Sequence, residues 1–120
     1  MISYVTIGTN DLEATAKFYD AVLGVLGAKR SLETERFIAW RGKTGAALSL
    51  NKPYDGEPAS VGNGVMVSLA ADSPEMVDAV HKKALELGAK DEGAPGPRTS
   101  GYFGYFRDPD GNKLCAVHFG

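Results

Sequence analysis

The chain has 120 residues, about the size of one domain, and a core of this size needs no cross-links to fold. A formal net charge of −2 with scattered Lys and Arg residues excludes a basic surface for nucleic acid or anionic membrane. The single cysteine excludes an internal disulfide, and no apolar run approaches the ~18 residues needed to span a bilayer. The first residues also lack the basic and apolar pattern of a signal peptide. We therefore expect a cytoplasmic protein with no nucleic-acid or membrane partner.

The first half of the chain predicts the element order β-α-β-β-β. Residues 2–8 alternate between two kinds of side chain, as a strand with two different faces does. Asn10 and Asp11 offer a helix N-cap, an apolar stripe at helical spacing follows, and Gly27 marks where the helix stops. Three further strands are predicted over residues 29–33, 36–41 and 46–51.

The second half predicts the same order. Residues 64–70 alternate, Ser73 is the expected helix cap with Pro74 at the first helical position, and Gly88 ends the helix. The sequence Leu-Gly-Ala-Lys occurs at both helix exits, which indicates an internal repeat. The remaining predicted elements are strands at 89–92, 102–107 and 113–119, with a Gly- and Pro-containing loop at 93–98.

The domain organisation follows from this repeat. We predict a single domain over residues 1–120, with module 1 at about 1–52, a Pro- and Gly-containing linker at 53–62 and module 2 at about 63–120. In each module the helix should cover one face of its sheet. The opposite faces carry small and mixed side chains, which suit the lining of a pocket; they are Tyr4, Thr6, Ser49, Asn51, Met66, Ser68 and Cys115.

A tight turn precedes the last predicted strand. The Asp108 side chain can accept from backbone N–H groups two residues on, Pro109 sets φ for the first central position, and Gly111 can adopt the left-handed conformation. The sequence from Asp108 to Gly111 therefore predicts a hairpin between the two final strands.

The whole chain resembles the vicinal oxygen chelate superfamily, which includes glyoxalase I, the extradiol dioxygenases and the fosfomycin- and bleomycin-resistance proteins. The resemblance rests on the two modules, on Asn10-Asp11-Leu12 followed by Phe18-Tyr19, and on Asp108-Pro109-Asp110-Gly111-Asn112. It implies an α+β fold in which two βαβββ modules form a glyoxalase-like cleft, with curved mixed sheets and the helices outside. It also implies a homodimer.

Catalytic members of that superfamily commonly bind a divalent metal in the cleft. By the family pattern, the ligand positions fall at Tyr4, Ser49, Met66 and Cys115, and none of these is His, Asp or Glu. A phenol, a hydroxyl and a thioether are poor ligands for hard divalent ions. We therefore expect no cofactor and no divalent metal.

Several side chains remain as candidates for binding or catalysis. The candidate catalytic residues are Tyr4, Tyr105 and Cys115. Arg98 beside an aromatic strand could bind a planar or anionic molecule, although core packing of half those rings is an equal alternative. The predicted ligand-binding residues are Tyr4, Ser49, Met66, Ser68, Arg98, Tyr102, Tyr105 and Cys115.

Three residues outside this set also carry expectations. His81 lies between polar neighbours on the second predicted helix, so we expect it to face solvent. Trp40 and Arg41 point to opposite faces of their strand, and either of them could line the pocket.

Three functions are compatible with the sequence. The first is a metal-independent protein that binds a small organic molecule, similar to bleomycin-resistance proteins, and acts by sequestration. The second is a glyoxalase-type lyase or isomerase, similar to lactoylglutathione lyase, that uses acid-base residues or atypical metal ligands. The third is a non-catalytic dimeric scaffold.

Overall fold

The computed structural model describes all residues, 1–120, and consists of two compact units, Met1–Ser60 (unit 1) and Val61–Gly120 (unit 2). Each unit contains one helix and one four-stranded mixed sheet in the order β-α-β-β-β. The predicted α+β class and the two βαβββ modules are confirmed. Neither helix is long and apolar enough to cross a membrane.

Unit 1 places its first strand beside its last. The strand order in the sheet is β1-β4-β3-β2; β1 pairs with β4 in parallel, and the other pairs are antiparallel. The elements are β1 (Tyr4–Gly8), α1 (Leu12–Val25), β2 (Lys29–Glu33), β3 (Phe37–Arg41) and β4 (Ala47–Asn51).

Local sequence accounts for both ends of α1. The Asp11 side chain accepts a hydrogen bond from the backbone N–H of Ala14 at 3.1 Å, which caps the first turn as predicted. At the other end Gly27 has φ +80°, a conformation that favours glycine and lets the chain reverse into β2. Between these ends α1 buries Ala16, Tyr19 and Val22 completely against the sheet. Burial of each large apolar side chain contributes about 1.5–3 kcal/mol.

Unit 2 has the same arrangement. Its sheet order is β5-β8-β7-β6, with β5 parallel to β8 and the remaining pairs antiparallel. The elements are β5 (Val67–Ala70), α2 (Pro74–Glu86), β6 (Lys90–Arg98), β7 (Gly101–Arg107) and β8 (Lys113–His118).

The helix α2 begins and ends where the sequence predicts. The Ser73 hydroxyl accepts from the backbone N–H of Met76 at 3.1 Å, Pro74 opens the helix, and Gly88 has φ +96° beyond its end. The helix packs Val77 and Val80, both completely buried, against the sheet. Helical spacing predicts an apolar stripe of Met76, Val77, Val80, Ala84 and Leu87. The middle three are buried, whereas Met76 is half-buried and Leu87, just beyond the helix, is 44% exposed.

Two strand boundaries in unit 2 differ from the prediction. Residues 93–98 were expected to be a loop, but they belong to the nine-residue strand β6. This strand lies at the edge of the sheet and contains two register shifts, so its prolines can be accommodated there. The strand β5 starts at Val67 instead of residue 64, because the backbone N–H of Val65 bonds to Gly62 O in a turn. Alternation over residues 64–70 puts Val65 on the same face as the buried Leu69, but Val65 precedes the strand and is 61% exposed.

The predicted turn before β8 is also present. The Asp108 carboxylate accepts from the backbone N–H groups of Asp110 and Asn112, each at 2.9 Å. Gly111 has φ +90°, and its N–H donates to Asp108 O. The buried carboxylate thus replaces the backbone partners that the reversing chain lacks.

Candidate functional site

Unit 1 carries a recess of about 330 Å³ on the sheet face opposite α1. Alternation along the strands creates it, since Ile7, Leu48 and Leu50 are buried while their neighbours line the recess. The register places Thr6 beside Ser49, so that both hydroxyl side chains lie on adjacent strands. The residues that matter most for its chemistry are Tyr4, Thr6, Phe37, Arg41, Ser49 and Asn51.

The floor of this recess contains a fixed polar pair. Ser49 is 4% exposed, and its hydroxyl donates to Asn51 Oδ1 at 2.6 Å. Tyr4 is 63% exposed and lines the same recess. Two of the predicted ligand-binding residues, Tyr4 and Ser49, therefore line one recess, with a hydroxyl–amide pair and an exposed phenol as its polar groups.

The segment after β4 forms a second, larger recess of about 840 Å³ that shares Thr6, Phe37 and Asn51 with the first. Three contacts hold this segment in place. The Arg36 guanidinium donates to Pro53 O at 3.0 Å, and the backbone N–H of Ala59 donates to Asn10 Oδ1 at 2.7 Å. A Cβ at Gly8 would lie 3.2 Å from Ala59 Cβ, so glycine permits this close approach. The predicted linker thus contributes a wall to the binding surface of unit 1.

The corresponding sheet face of unit 2 contains Cys115. This residue is completely buried, and its thiol donates to the Ser68 hydroxyl at 3.2 Å. Burial raises the pKa of the Cys115 thiol above its ordinary value, an effect that the Ser68 hydrogen bond and the Lys113 charge only partly oppose. The thiol is therefore protonated at neutral pH, which is unfavourable for a nucleophile. Met66 is 40% exposed beside the start of β5.

Tyr105 lies close to two cations. The Arg98 guanidinium carbon is 5.7 Å from the centre of the Tyr105 ring, and Lys113 Nζ is 5.6 Å from it. The ring of Phe103 stacks on Tyr105 with centroids 5.8 Å apart and planes 5° from parallel. The structure therefore brings Arg98 and Tyr105 together and adds Lys113, which the sequence analysis did not single out. The alternation of β8, which puts Lys113 on the Cys115 face, was the available indication.

Tyr102 lies on the other face of β7. Its hydroxyl donates to Asp78 Oδ1 of α2 at 2.7 Å, and this bond raises the pKa of the Tyr102 phenol. The structure thus separates Tyr102 from Tyr105. Alternation along the strand is the reason, because the two residues are an odd number of positions apart.

The prediction for His81 was wrong. His81 is only 5% exposed, and its Nε2 lies 3.1 Å from Asp91 Oδ1 and 3.2 Å from Tyr105 O. Both partners are acceptors, so Nε2 carries a proton and donates. The sequence neighbours of His81 are polar, but its helical position points toward β7, where its ring also meets Phe106 edge-on.

Trp40 and Arg41 occupy the two faces of β3. Trp40 is 2% exposed on the α1 side, where Nε1 donates to Asp20 Oδ1 at 2.9 Å and the ring packs on Tyr19. Arg41 lines the 330 Å³ recess. Of these two residues, Arg41 therefore lines the recess and Trp40 does not.

The residues at the family's metal positions do not form a suitable ligand set. Ser49 donates its proton to an amide oxygen, Met66 offers a thioether, and Cys115 holds a protonated thiol. The structure also contains no group of three or more His, Cys, Asp or Glu side chains that could hold a metal ion. Hard divalent ions prefer carboxylate, carbonyl or imidazole donors, which these positions lack.

Two helix-backed βαβββ units with an open sheet face on each define a glyoxalase-like protein, and the comparisons with known proteins agree. The family model described as Glyoxalase/Bleomycin resistance protein/Dioxygenase superfamily matches residues 1–116. A glyoxalase/bleomycin resistance protein from Albidiferax ferrireducens T118 is 41% identical, with a TM-score of 0.94, over 100% of this chain and 99% of that one. The chain belongs to the glyoxalase/bleomycin resistance protein/dioxygenase superfamily.

More distant structures share the fold. A glyoxalase/bleomycin resistance protein/dioxygenase family enzyme from Burkholderia phytofirmans PsJN is 22% identical, with a TM-score of 0.79, over 98% of each chain. A lactoylglutathione lyase from Agrobacterium tumefaciens is 22% identical, with a TM-score of 0.70, over 98% of this chain and 92% of that one. No curated protein sequence matches the chain.

Proposed function

We propose that this protein binds a small organic molecule without a divalent metal. The observation that carries the proposal is the recess of unit 1, which combines a suitable volume with side chains that are poor metal ligands. Its volume of about 330 Å³ lies within the range of small-molecule sites. The adjoining 840 Å³ recess extends the available surface along the same sheet face.

The lining of the recess favours recognition by shape and hydrogen bonding. Tyr4 and Phe37 supply flat apolar surface, and the Ser49–Asn51 pair supplies oriented polar groups. Arg41 adds one positive charge for a carboxylate or another anionic group. A ligand with an apolar body and a few hydrogen-bonding groups fits this combination.

The chemistry of the candidate catalytic residues favours binding over turnover. Cys115 is buried with a raised pKa, so it does not present a thiolate. Tyr4 is exposed, and the recess that it lines contains no carboxylate or imidazole side chain. No observation of comparable weight supports the lyase, so we propose sequestration of the bound molecule, as in a bleomycin-resistance protein.

We further propose that the protein is a homodimer in the cytoplasm. Exposed apolar side chains, including Ile2 at 60% and Phe119 at 62%, support an interface with a second copy. The unpaired thiol of Cys115 fits a reducing compartment. Light scattering on the purified protein should give twice the mass of the 12.7 kDa chain, and a monomer at every concentration would contradict this part of the proposal.

The binding proposal is tested by thermal unfolding across a panel of metabolites and drugs in the presence of EDTA. At least one compound should raise Tm, because binding to the folded state alone stabilises it. The variant Thr6→Trp should abolish that shift, since Thr6 lines both recesses of unit 1 and the larger ring protrudes into them. Thr44→Trp is the matched control, because Thr44 is exposed and lines neither recess.

The outcomes separate the three functions. A shift that survives EDTA and is lost in Thr6→Trp but kept in Thr44→Trp supports metal-independent binding. Turnover of a hemithioacetal that survives chelator but is lost in Tyr4→Phe would establish the lyase instead. The absence of a shift with every compound, in a dimeric protein, would favour the scaffold.

A further inference from the structure

Unit 2 contains a recess of its own, with a volume of about 510 Å³. The segment from Val61 to Met66 forms one wall, and the side chains of Arg107 and Lys113 form the other. Arg107 and Lys113 are opposite each other in the register of strands β7 and β8, so both side chains lie on the same face of the sheet. No acidic side chain lines this recess.

Lys113 is the basic side chain of this recess that forms no salt bridge, although its charge, like those of Arg107 and Lys90, helps to lower the pKa of Glu92. Its ammonium group lies 5.6 Å from the centre of the Tyr105 ring and forms no salt bridge with a carboxylate. The side chain is only partly exposed, so its charge is less screened than that of a fully solvated lysine. Contact with the ring orients the ammonium without neutralising it. Lys113 is therefore able to accept an anionic partner.

Arg107 is held in place by two bonds that leave part of its guanidinium free. Nε donates to Glu92 Oε1 at 2.7 Å, and Nη1 donates to Gly111 O at 3.1 Å. The Arg107 bond is the main reason that the pKa of Glu92 is lowered, so this carboxylate is ionised at neutral pH. The Glu92 carboxylate therefore balances the positive charge of Arg107. Of the two basic side chains that line the recess, one thus keeps a positive charge that no salt bridge balances.

The opposite wall is apolar. Val61, Val65 and Met66 are 46%, 61% and 40% exposed, so their side chains are available for contact. Glycine sets the shape of this wall, because a Cβ at Gly62 would lie 2.6 Å from Val65 Cγ2 and would displace the valine. Gly64 also has φ +95°, which favours glycine. Cationic and apolar surfaces therefore face one another across the recess.

We propose that this recess binds an organic carboxylate, with the carboxylate at Lys113 and Arg107 and an apolar, planar body against Val61, Val65 and Met66. A carboxylate forms charge-assisted bonds with ammonium and guanidinium donors, and it also matches the single net charge of the recess. The inference extends the proposed small-molecule binding to a second recess with a stated ligand class. Because the residues differ from those of unit 1, either proposal can fail without the other.

The test uses 2-naphthoate as the probe and 2-naphthamide as its uncharged counterpart, each titrated into the full-length protein by calorimetry. We expect 2-naphthoate to bind at least about tenfold more tightly than the amide, since the amide lacks the charge-assisted bonds. Raising the salt concentration should weaken the naphthoate alone. Equal affinities for the two compounds would overturn the proposal.

Matched variants locate the site. Lys113→Gln should weaken 2-naphthoate about tenfold, Lys113→Arg should restore most of the affinity, and Lys43→Gln should have no effect, because Lys43 is exposed and does not line the recess. Thr6→Trp should leave naphthoate binding unchanged, which separates this site from the recess of unit 1. Loss of naphthoate binding in Thr6→Trp but not in Lys113→Gln would contradict the assignment. Melting curves of each variant verify that it is folded.

Discussion

The two units have the same topology, and equivalent positions in them hold different chemistry. In unit 1 the helix presents Tyr19 to Trp40, with ring centroids 5.7 Å apart. In unit 2 the equivalent helix position holds His81, which meets Phe106 at 6.4 Å. Each pair joins the helix to the third strand of its module. Both units therefore place a ring at this helix position, a phenol ring in unit 1 and a hydrogen-bonded imidazole in unit 2.

The polar partners of these rings also differ. In unit 1, Asp20 accepts from Trp40 Nε1 and from two nitrogens of Arg30. In unit 2, His81 donates to Asp91 and to a backbone carbonyl. One unit thus secures its helix with an ion pair at the surface, and the other with a buried imidazole. The two units thus share a fold although the hydrogen-bond networks around Asp20 and His81 differ.

The open sheet faces differ in the same way. The face of unit 1 offers a neutral hydroxyl–amide pair with Arg41 beside it. The face of unit 2 offers Tyr105 with the cations of Arg98 and Lys113 close to its ring. The two faces therefore offer a ligand different polar groups.

The largest effects should come from removing the ring that each helix packs on. Trp40→Ala and Phe106→Ala should each lower the free energy of unfolding by about 3–5 kcal/mol, because these side chains are almost completely buried. Urea denaturation measures the change. Tyr54→Ala is the control, because Tyr54 is 98% exposed and its loss should cost less than about 0.5 kcal/mol. A small effect at Trp40 or Phe106 would break the claimed equivalence of the two ring pairs.

The buried imidazole of His81 should contribute more to the free energy of unfolding than the exposed side chain of Lys82. His81→Leu should lower the free energy of unfolding by about 1–3 kcal/mol, because the Tyr105 carbonyl loses its side-chain donor. Lys82→Leu is the matched control, because Lys82 is exposed on the same helix. Equal stabilities of the two variants in urea would show that the His81 hydrogen bonds contribute nothing.

The surface ion pair of unit 1, Asp20–Arg30, should contribute less to the free energy of unfolding than His81 does, and its contribution should depend on pH. The Arg30 hydrogen bond lowers the pKa of Asp20, with a smaller contribution from Trp40. Because the folded-state pKa lies below the unfolded value of about 3.9, the stabilisation is fully present above about pH 5 and is lost as pH falls through the folded-state pKa. Asp20→Asn should cost about 0.5–1 kcal/mol at pH 7, a small value because the Asp20 side chain is 42% exposed.

The control for this effect is the pH series itself. The difference in unfolding free energy between wild type and Asp20→Asn should shrink as pH falls from 5 to 2, as measured by urea denaturation at each pH. A difference that stays constant or grows in acid would contradict the ion pair as its source.

Features that depend on neighbouring residues in the sequence could be predicted. The caps Asp11 and Ser73, the glycines beyond each helix and the Asp108 turn are all local, and each is present. Features set by the position of a strand in its sheet could not. The prolines of β6 suggested a loop because only the sheet order reveals that this strand lies at an edge.

The candidate site was predictable to a similar degree. Strand alternation correctly placed Ser49 and Cys115 opposite the helix-facing residues, but the burial of Cys115 depends on neighbouring strands. The partners of His81 and Tyr102 lie across the helix–sheet interface, so neighbouring sequence could not reveal them. The contact between Lys113 and the Tyr105 ring joins two different strands, so the sequence did not indicate it.

The central claim is that small-molecule binding by this protein needs no divalent metal. Calorimetric titration of the purified, chelator-treated protein with zinc and then with nickel tests it most directly. The account predicts no stoichiometric binding at micromolar concentrations, because Tyr4, Ser49, Met66 and Cys115 supply no carboxylate or imidazole. Stoichiometric micromolar binding that is weakened by Tyr4→Phe or Cys115→Ala would contradict it.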